Sequence, residues 1–246
     1  MPLCQIRALP FVACLLLVAG AVRGESPNSA LPPSLTAPAI VKQMQRHNRF
    51  QSEDLKHYQE LRHYEVQYKG FSANLVGKMD VSVIFDAATG KSFRIVSQTG
   101  SKLLCDKVLK KAVDSEAEAA HDQAATALTP ANYQFELVGT ENVDGRPAYV
   151  LAVRPITDSK FLYRGKIWVD AADFAVTRIK AEPAKNPSFW IMRPQITFTS
   201  AKTGKFWLPA SNRSETKVRI GGTAVFTIDY GTYQIDRVAP TSTATR

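Results

Sequence analysis

Cysteine is nearly absent from this 246-residue chain. There are three, Cys4, Cys14 and Cys105, and the first two lie in an N-terminal segment with the pattern of an export signal. Cys105 is then alone, so no intramolecular disulfide can form and stability must come from packing; on the apolar side of a helical pattern it reads as a small buried hydrophobe. The familiar catalytic motifs are missing as well: there is no Gly-x-Ser-x-Gly elbow, no Walker loop and no Gly-x-Gly-x-x-Gly. Histidine is scarce, with His47, His57, His63 and His121 the whole set, and none has His-Glu-x-x-His spacing. A metal site would have to be assembled from distant segments, so surface or helix-contact roles are the simpler reading. Asp170 and Asp173 sit at one hairpin and read as turn formers rather than paired acids. Neither cofactor nor metal is implied. The formal charge is +9, but its basic residues are spread through the chain, which with export argues against nucleic acid and leaves weak attraction to an anionic membrane surface.

What is present begins with residues 1–24. Arg7 supplies a short positive region, 11–21 is apolar, and Val22-Arg23-Gly24 offers a cleavage site. The apolar run falls short of the ~20 residues that span a bilayer. Phe11-Val12-Ala13-Cys14 loosely resembles a lipoprotein signal, but cleavage there would cut the apolar region to almost nothing and leave Leu15 to Val18 at the new N-terminus. Cleavage after Gly24 is therefore predicted; loss of Arg7 and Arg23 would take the formal charge from +9 to +7. Residues 25–37 are rich in Pro and Ser and read as a linker, 38–237 as one domain, and 238–246 as a frayed tail.

The domain is dominated by alternation. Strand patterns fall at about 62–70, 77–86, 91–99, 132–142, 146–156, 161–170, 174–182, 190–201, 205–219 and 223–236, and Thr89-Gly90, Asp144-Gly145, Thr203-Gly204 and Gly221-Gly222 mark tight turns between them. Strands joined by such short links are antiparallel, and no βαβ pattern occurs. The predicted fold class is α+β: a large curved antiparallel sheet of ten to eleven strands, an unclosed half-barrel with a helical lid. Period-2 alternation gathers one apolar face. Its predicted lining is Val83, Phe85, Phe93, Ile95, Phe135, Leu137, Tyr149, Leu151, Tyr163, Ile167, Val169, Phe198, Phe226 and Ile228. The opposite face, with Arg94 and Lys166, is expected to meet water.

Two helical regions accompany the strands. One starts near Pro38, with Ile40, Val41 and Met44 on one face, and Ser52 is placed to cap a second short helix carrying Leu55 and Tyr58. The other runs over 102–124, with Leu104, Cys105, Val108 and Leu109 in an apolar stripe. Met44, Leu104 and Val108 are the predicted lid contacts over the apolar face. The link 182–192, Glu-Pro-Ala-Lys-Asn-Pro-Ser-Phe-Trp-Ile-Met, has two readings: a rim loop that touches a ligand or partner, or a packed satellite cluster of Phe189 and Trp190.

The segment Tyr163-Arg164-Gly165-Lys166-Ile167-Trp168-Val169-Asp170, with Phe174 and Arg178-Ile179 after it, resembles bacterial outer-membrane lipoprotein-sorting proteins of the LolA/LolB-like superfamily. So does Lys205-Phe206-Trp207-Leu208-Pro209, and the resemblance covers roughly 36–237. It implies an unclosed barrel with a helical lid around an apolar cavity, no enzymatic activity, acyl chains of a lipid or lipoprotein as ligand, transport partners in the inner or outer membrane, a monomer, and a periplasmic location. The sequence departs from the family in two respects. No residue can be equated with the arginine that couples lid opening to release, and the mature N-terminus lacks an acylated cysteine. A divergent carrier is the function implied; the alternative is a non-transporting sensor or interaction module with a packed core.

Overall fold

The computed structural model describes residues 34–71, 73–186 and 188–235, without the side chains of His121 and Gln123. The predicted signal, most of the predicted linker and the predicted tail lie outside the described residues.

Long alternating runs become long strands: β1 (His57–Lys69), β2 (Asn74–Asp86), β3 (Gly90–Gly100), β4 (Tyr133–Val143), β5 (Arg146–Pro155), β6 (Tyr163–Asp170), β7 (Val176–Pro183), β8 (Ile191–Thr203), β9 (Phe206–Val218), β10 (Thr223–Tyr230) and the short β11 (Gln234–Ile235). They form one antiparallel sheet of eleven strands in the order β3-β2-β1-β10-β9-β8-β7-β6-β5-β4, with β11 against β1. β3 and β4 are the two edges, so the sheet is unclosed, as predicted. The chain crosses from one edge to the other through its second helical segment.

Turn chemistry sets the registers. Asp144 and Gly145 have φ of 51° and 82°, the pair of positive values that a two-residue turn between right-twisted strands requires. Gly165, in the hairpin that carries the family resemblance, answers a different need: a Cβ there would stand 2.3 Å from the Lys180 carbonyl oxygen on the neighbouring strand. At the next hairpin, the Asp170 carboxylate accepts the backbone N–H groups of Ala172 and Asp173 at 3.0 and 2.7 Å. Asp170 is a turn former, as its sequence position implied.

The helices differ from expectation in detail. α1 (Ala37–Asp54) is a single helix, and β1 begins at His57, so the second short helix predicted at Ser52 does not exist. Ser52 donates its hydroxyl to the Arg49 carbonyl instead of capping, and Tyr58 belongs to the sheet, where its backbone pairs with Phe85 and Ile235. Pairing with two flanking strands outcompetes the marginal stability of one isolated helical turn. Gln51 fastens the end of α1 to β9, donating from Nε2 to the Trp207 carbonyl (3.1 Å) and accepting the Trp207 N–H (2.9 Å). The predicted 102–124 helix is broken into α2 (Lys102–Leu104), a π-helical turn (Cys105–Leu109), α3 (Lys110–His121) and α4 (Gln123–Thr126). Ser101 caps the first piece and Asp122 the last.

Candidate functional site: the inner face of the sheet

The helices cover the sheet in two separate patches. α1 lays Ile40, Val41 and Met44 on Tyr133, Tyr149, Leu151, Val153, Ile167 and Val169, with Phe135, Leu137 and Tyr163 packed around them. Leu104, Cys105, Leu109 and Val113 of the edge-to-edge crossing cover Tyr64, Val66, Met79, Val81, Val83 and Ile228, with Val108, Phe93 and Phe226 alongside. Thus Phe135, Leu137, Tyr149, Leu151, Tyr163, Ile167 and Val169 are brought together under α1. Val83, Phe93, Phe226 and Ile228 are brought together under the crossing. Phe85 falls in neither patch: it stacks on Tyr58 at 5.2 Å in a third cluster with Leu55, Phe206 and Leu208. Ile95 shares the face of Phe93 but lies on the edge strand, where it is 38 % exposed. Met44 packs in the patch under α1, and Leu104 and Val108 in the patch under the crossing.

Between the patches runs a strip that no helix fully covers. Strand register carries the inner face from Ile179 of β7 to Phe198 of β8, Asn212 of β9 and Ile228 of β10. A second row runs from Ala181 through Ile196 and Ser214 to Phe226. Ile196 and Phe198 are half-buried and belong to none of the core clusters. In the middle of the strip Ile196 and Phe198 on β8 lie beside Asn212 and Ser214 on β9.

One feature of this face was missed by sequence reasoning. β1 places Glu60 and Arg62 on the inner side, in line with Tyr58, Tyr64 and Val66, and both are buried. Arg62 donates to Glu60 from Nε (2.9 Å) and Nη2 (2.7 Å), and from Nη1 to Glu116 on α3. Tyr64 donates its hydroxyl to the other Glu116 oxygen at 2.7 Å. The guanidinium also lies over the Tyr230 ring (4.7 Å) and near that of Phe93 (5.6 Å). Burial opposes the charge on Arg62, but Glu116, Tyr230 and Glu60 outweigh it and hold the group firmly protonated. Burial pushes the Glu60 carboxyl up, with Arg62 pulling the other way, and pushes the Tyr58 hydroxyl up to about 12. The signal was available: charges two residues apart, in phase with an apolar alternation, face the core.

No family model matches this chain, and no curated protein does. Its fold is like that of several solved structures. One is a LolA superfamily protein from Nitrosomonas europaea, at 12 % identity and a TM-score of 0.37, covering 84 % of this chain and 96 % of that one. A putative outer membrane lipoprotein-sorting protein domain from Vibrio parahaemolyticus gives 10 % and 0.42, covering 82 % and 93 %. A DUF1329 family protein from Desulfovibrio piger gives 11 % and 0.42, covering 84 % and 95 %.

The outer face is not uniformly wetted. Trp168, Val150, Ala148 and Val143 form a buried cluster there, which corrects the expectation of a wholly polar side; Trp168 Nε1 donates to Glu141 (2.8 Å) and Lys180 lies 5.9 Å from its ring. Arg94 and Lys166 are exposed on that face, as predicted. Phe189 and Trp190 meet edge-on at 5.4 Å but remain exposed, so the 182–192 link does not bury them as a packed satellite. An open cleft of about 400 Å³ lies beside it, lined by Arg164, Lys180, Glu182 and Ile196 among others.

Proposed function

We propose that this chain binds acyl chains of a lipid or lipoprotein on the inner face of its sheet, as a periplasmic carrier of the cell envelope. The observation that carries the reading is the strip at Ile196 and Phe198, apolar side chains left half-buried between two helix-covered patches. The crossing segment α2–α3 acts as the lid. It is joined to the sheet by apolar contacts and by the Arg62–Glu116 ion pair, and the π-helical turn gives it a place to yield. Each acyl methylene removed from water contributes about 0.8 kcal/mol, so ten would contribute ~8 kcal/mol. That is enough to offset the loss of several lid side chains at about 1.5–3 kcal/mol each.

The test is titration with a fluorescent fatty acid. Phe198→Asp is expected to weaken binding by at least about tenfold while leaving the melting temperature near that of the parent, since Phe198 lies outside the core clusters. Unchanged affinity would remove the strip from the site. The periplasmic assignment has its own check: N-terminal sequencing of the exported protein is expected to begin near Glu25, and a chain retaining Met1 would contradict it.

A second reading, a sensor or interaction module with a permanently packed core, draws on the complete burial of Ile40, Leu109, Leu151 and Ile167. It predicts no uptake of acyl chains under any condition, and a lid that can be locked without consequence.

A further inference from the structure

The end of the sheet at which β1 finishes and β2 starts carries a surface that acyl binding does not use. Three of its connections are neighbours, because β2, β1, β10, β9 and β8 are consecutive in the sheet: 70–73 between β1 and β2, 219–222 between β9 and β10, and 184–190 between β7 and β8. Each presents large apolar side chains to solvent. Phe71 is 96 % exposed, Ile220 70 %, Phe189 67 % and Trp190 55 %. The hairpin tips are also tied to one another. The Phe71 ring lies so close over Gly221 that a Cβ there would stand 2.7 Å from it, and the Tyr68 hydroxyl donates to the Gly221 carbonyl at 2.9 Å. Arg219 joins the second tip to the third, donating from its backbone N–H to the Trp190 carbonyl (3.0 Å) and from Nε to the Phe189 carbonyl (2.7 Å). Its guanidinium sits 4.3 Å from the Phe189 ring.

The charge here has one sign. Residues 69–74, 185–193 and 217–223 include Lys69, Lys185, Arg193, Lys217 and Arg219 and not one Asp or Glu. All five basic residues are exposed. At the margin of this surface Glu182 lines an open pocket with Arg164 and Arg193 and lies opposite Arg164 in the strand register, and further along Asp158 pairs with Arg164 at 3.8 Å. Rings projecting from hairpin tips, each flanked by cations, suit a yielding, negatively charged phase. The rings enter the boundary between headgroups and acyl chains while the cations stay with the phosphates.

We infer that this end of the sheet is a docking surface for an anionic lipid bilayer. The inference does not depend on acyl binding by the inner face. The experiment is flotation of the protein as isolated from the producing cell, its N-terminus sequenced, with vesicles of phosphatidylcholine alone or with about 30 % phosphatidylglycerol. Flotation with the anionic vesicles is expected to exceed that with the neutral ones by about tenfold and to fall away as salt is raised toward ~0.5 M. Tryptophan emission should shift to the blue on binding, because Trp190 is exposed whereas Trp168 is buried and Trp207 half-buried. Phe189→Ser with Trp190→Ser, and separately Lys185→Glu with Arg193→Glu and Lys217→Glu, should each reduce flotation by about tenfold. Phe50→Ser, at an equally exposed ring outside this end, should not. If a variant fails to melt cooperatively, the lipid and salt dependence of the parent decides alone. Absence of flotation, equal flotation with both vesicles, equal flotation of folded variants, or a concentration-dependent dimer abolished by the same substitutions without vesicle binding would each overturn the inference.

Discussion

At the residue scale, Arg62 joins the sheet to the helix that covers it. Removing one member of a buried ion pair strands its partners, which costs about 3–5 kcal/mol, so Arg62→Leu is expected to lower stability by that order in a denaturant titration. Glu116→Gln is milder and more informative. It keeps the side-chain shape but removes the charge that Arg62 meets, a hydrogen bond worth about 1.5–3 kcal/mol. Amide exchange in α3 should accelerate by about tenfold or more, with exchange in β1 and β2 unchanged; uniform acceleration would mean that the pair holds the whole fold rather than the lid. Asp170 offers a pH test. Burial raises its carboxyl, but the bonds from Arg146 (2.5 and 2.9 Å) and two backbone N–H groups outweigh that and hold it below the usual carboxylate range. A depressed carboxyl contributes stability that is fully present above the unfolded aspartate value of ~3.9 and is lost as pH falls through the folded value. Asp170→Asn should therefore flatten the acid limb of the stability profile; an unchanged limb would show that other carboxylates govern it.

At the scale of elements, the sheet was legible and the helices were only partly so. A β-strand declares itself locally by alternation, and explicit Gly turns divide one strand from the next; hence Ile167, Phe135 and Leu151 were placed on the correct face. Ile167→Asp is expected to cost several kcal/mol, about the stability of a domain, while Lys166→Ala on the outer face should cost less than about 0.5 kcal/mol. What escaped sequence reasoning depended on partners distant along the chain. Glu116 has nothing local to mark it as the partner of Arg62, 54 residues earlier. Trp168 was hidden because an outer-face cluster depends on which strands lie side by side. The helix predicted at Ser52 failed because β2 and β11, from opposite ends of the chain, claim His57–Tyr58 as strand. The crossing segment can be tested as a lid by means of its lone cysteine. A Cβ added at Gly77 would stand 3.4 Å from Cys105 Sγ, close to the separation within a disulfide. Gly77→Cys should therefore cross-link to Cys105 on oxidation, with a small adjustment of Leu104, whose Cβ would lie 2.9 Å away. Acyl binding should fall when the link is formed and return on reduction; binding indifferent to the link would assign the crossing a purely structural role.

For the whole molecule, topology connects fold to function. A sheet with free edges at β3 and β4 cannot close over its own apolar face, so helices from two parts of the chain cover it and leave the β8–β9 strip half-open between them. The same topology gathers three hairpin tips at one end, next to the strip, where exposed rings and basic residues meet solvent. A carrier that loads acyl chains and touches membranes would use both features, and neither needs a catalytic group. The most direct measurement is mass spectrometry of lipid extracted from the protein purified without detergent. Acyl-bearing molecules in near-stoichiometric amount, depleted in the Phe198→Asp variant, are the predicted result. A protein that emerges free of lipid, and that takes up none when offered fatty acid or phospholipid, would contradict the account.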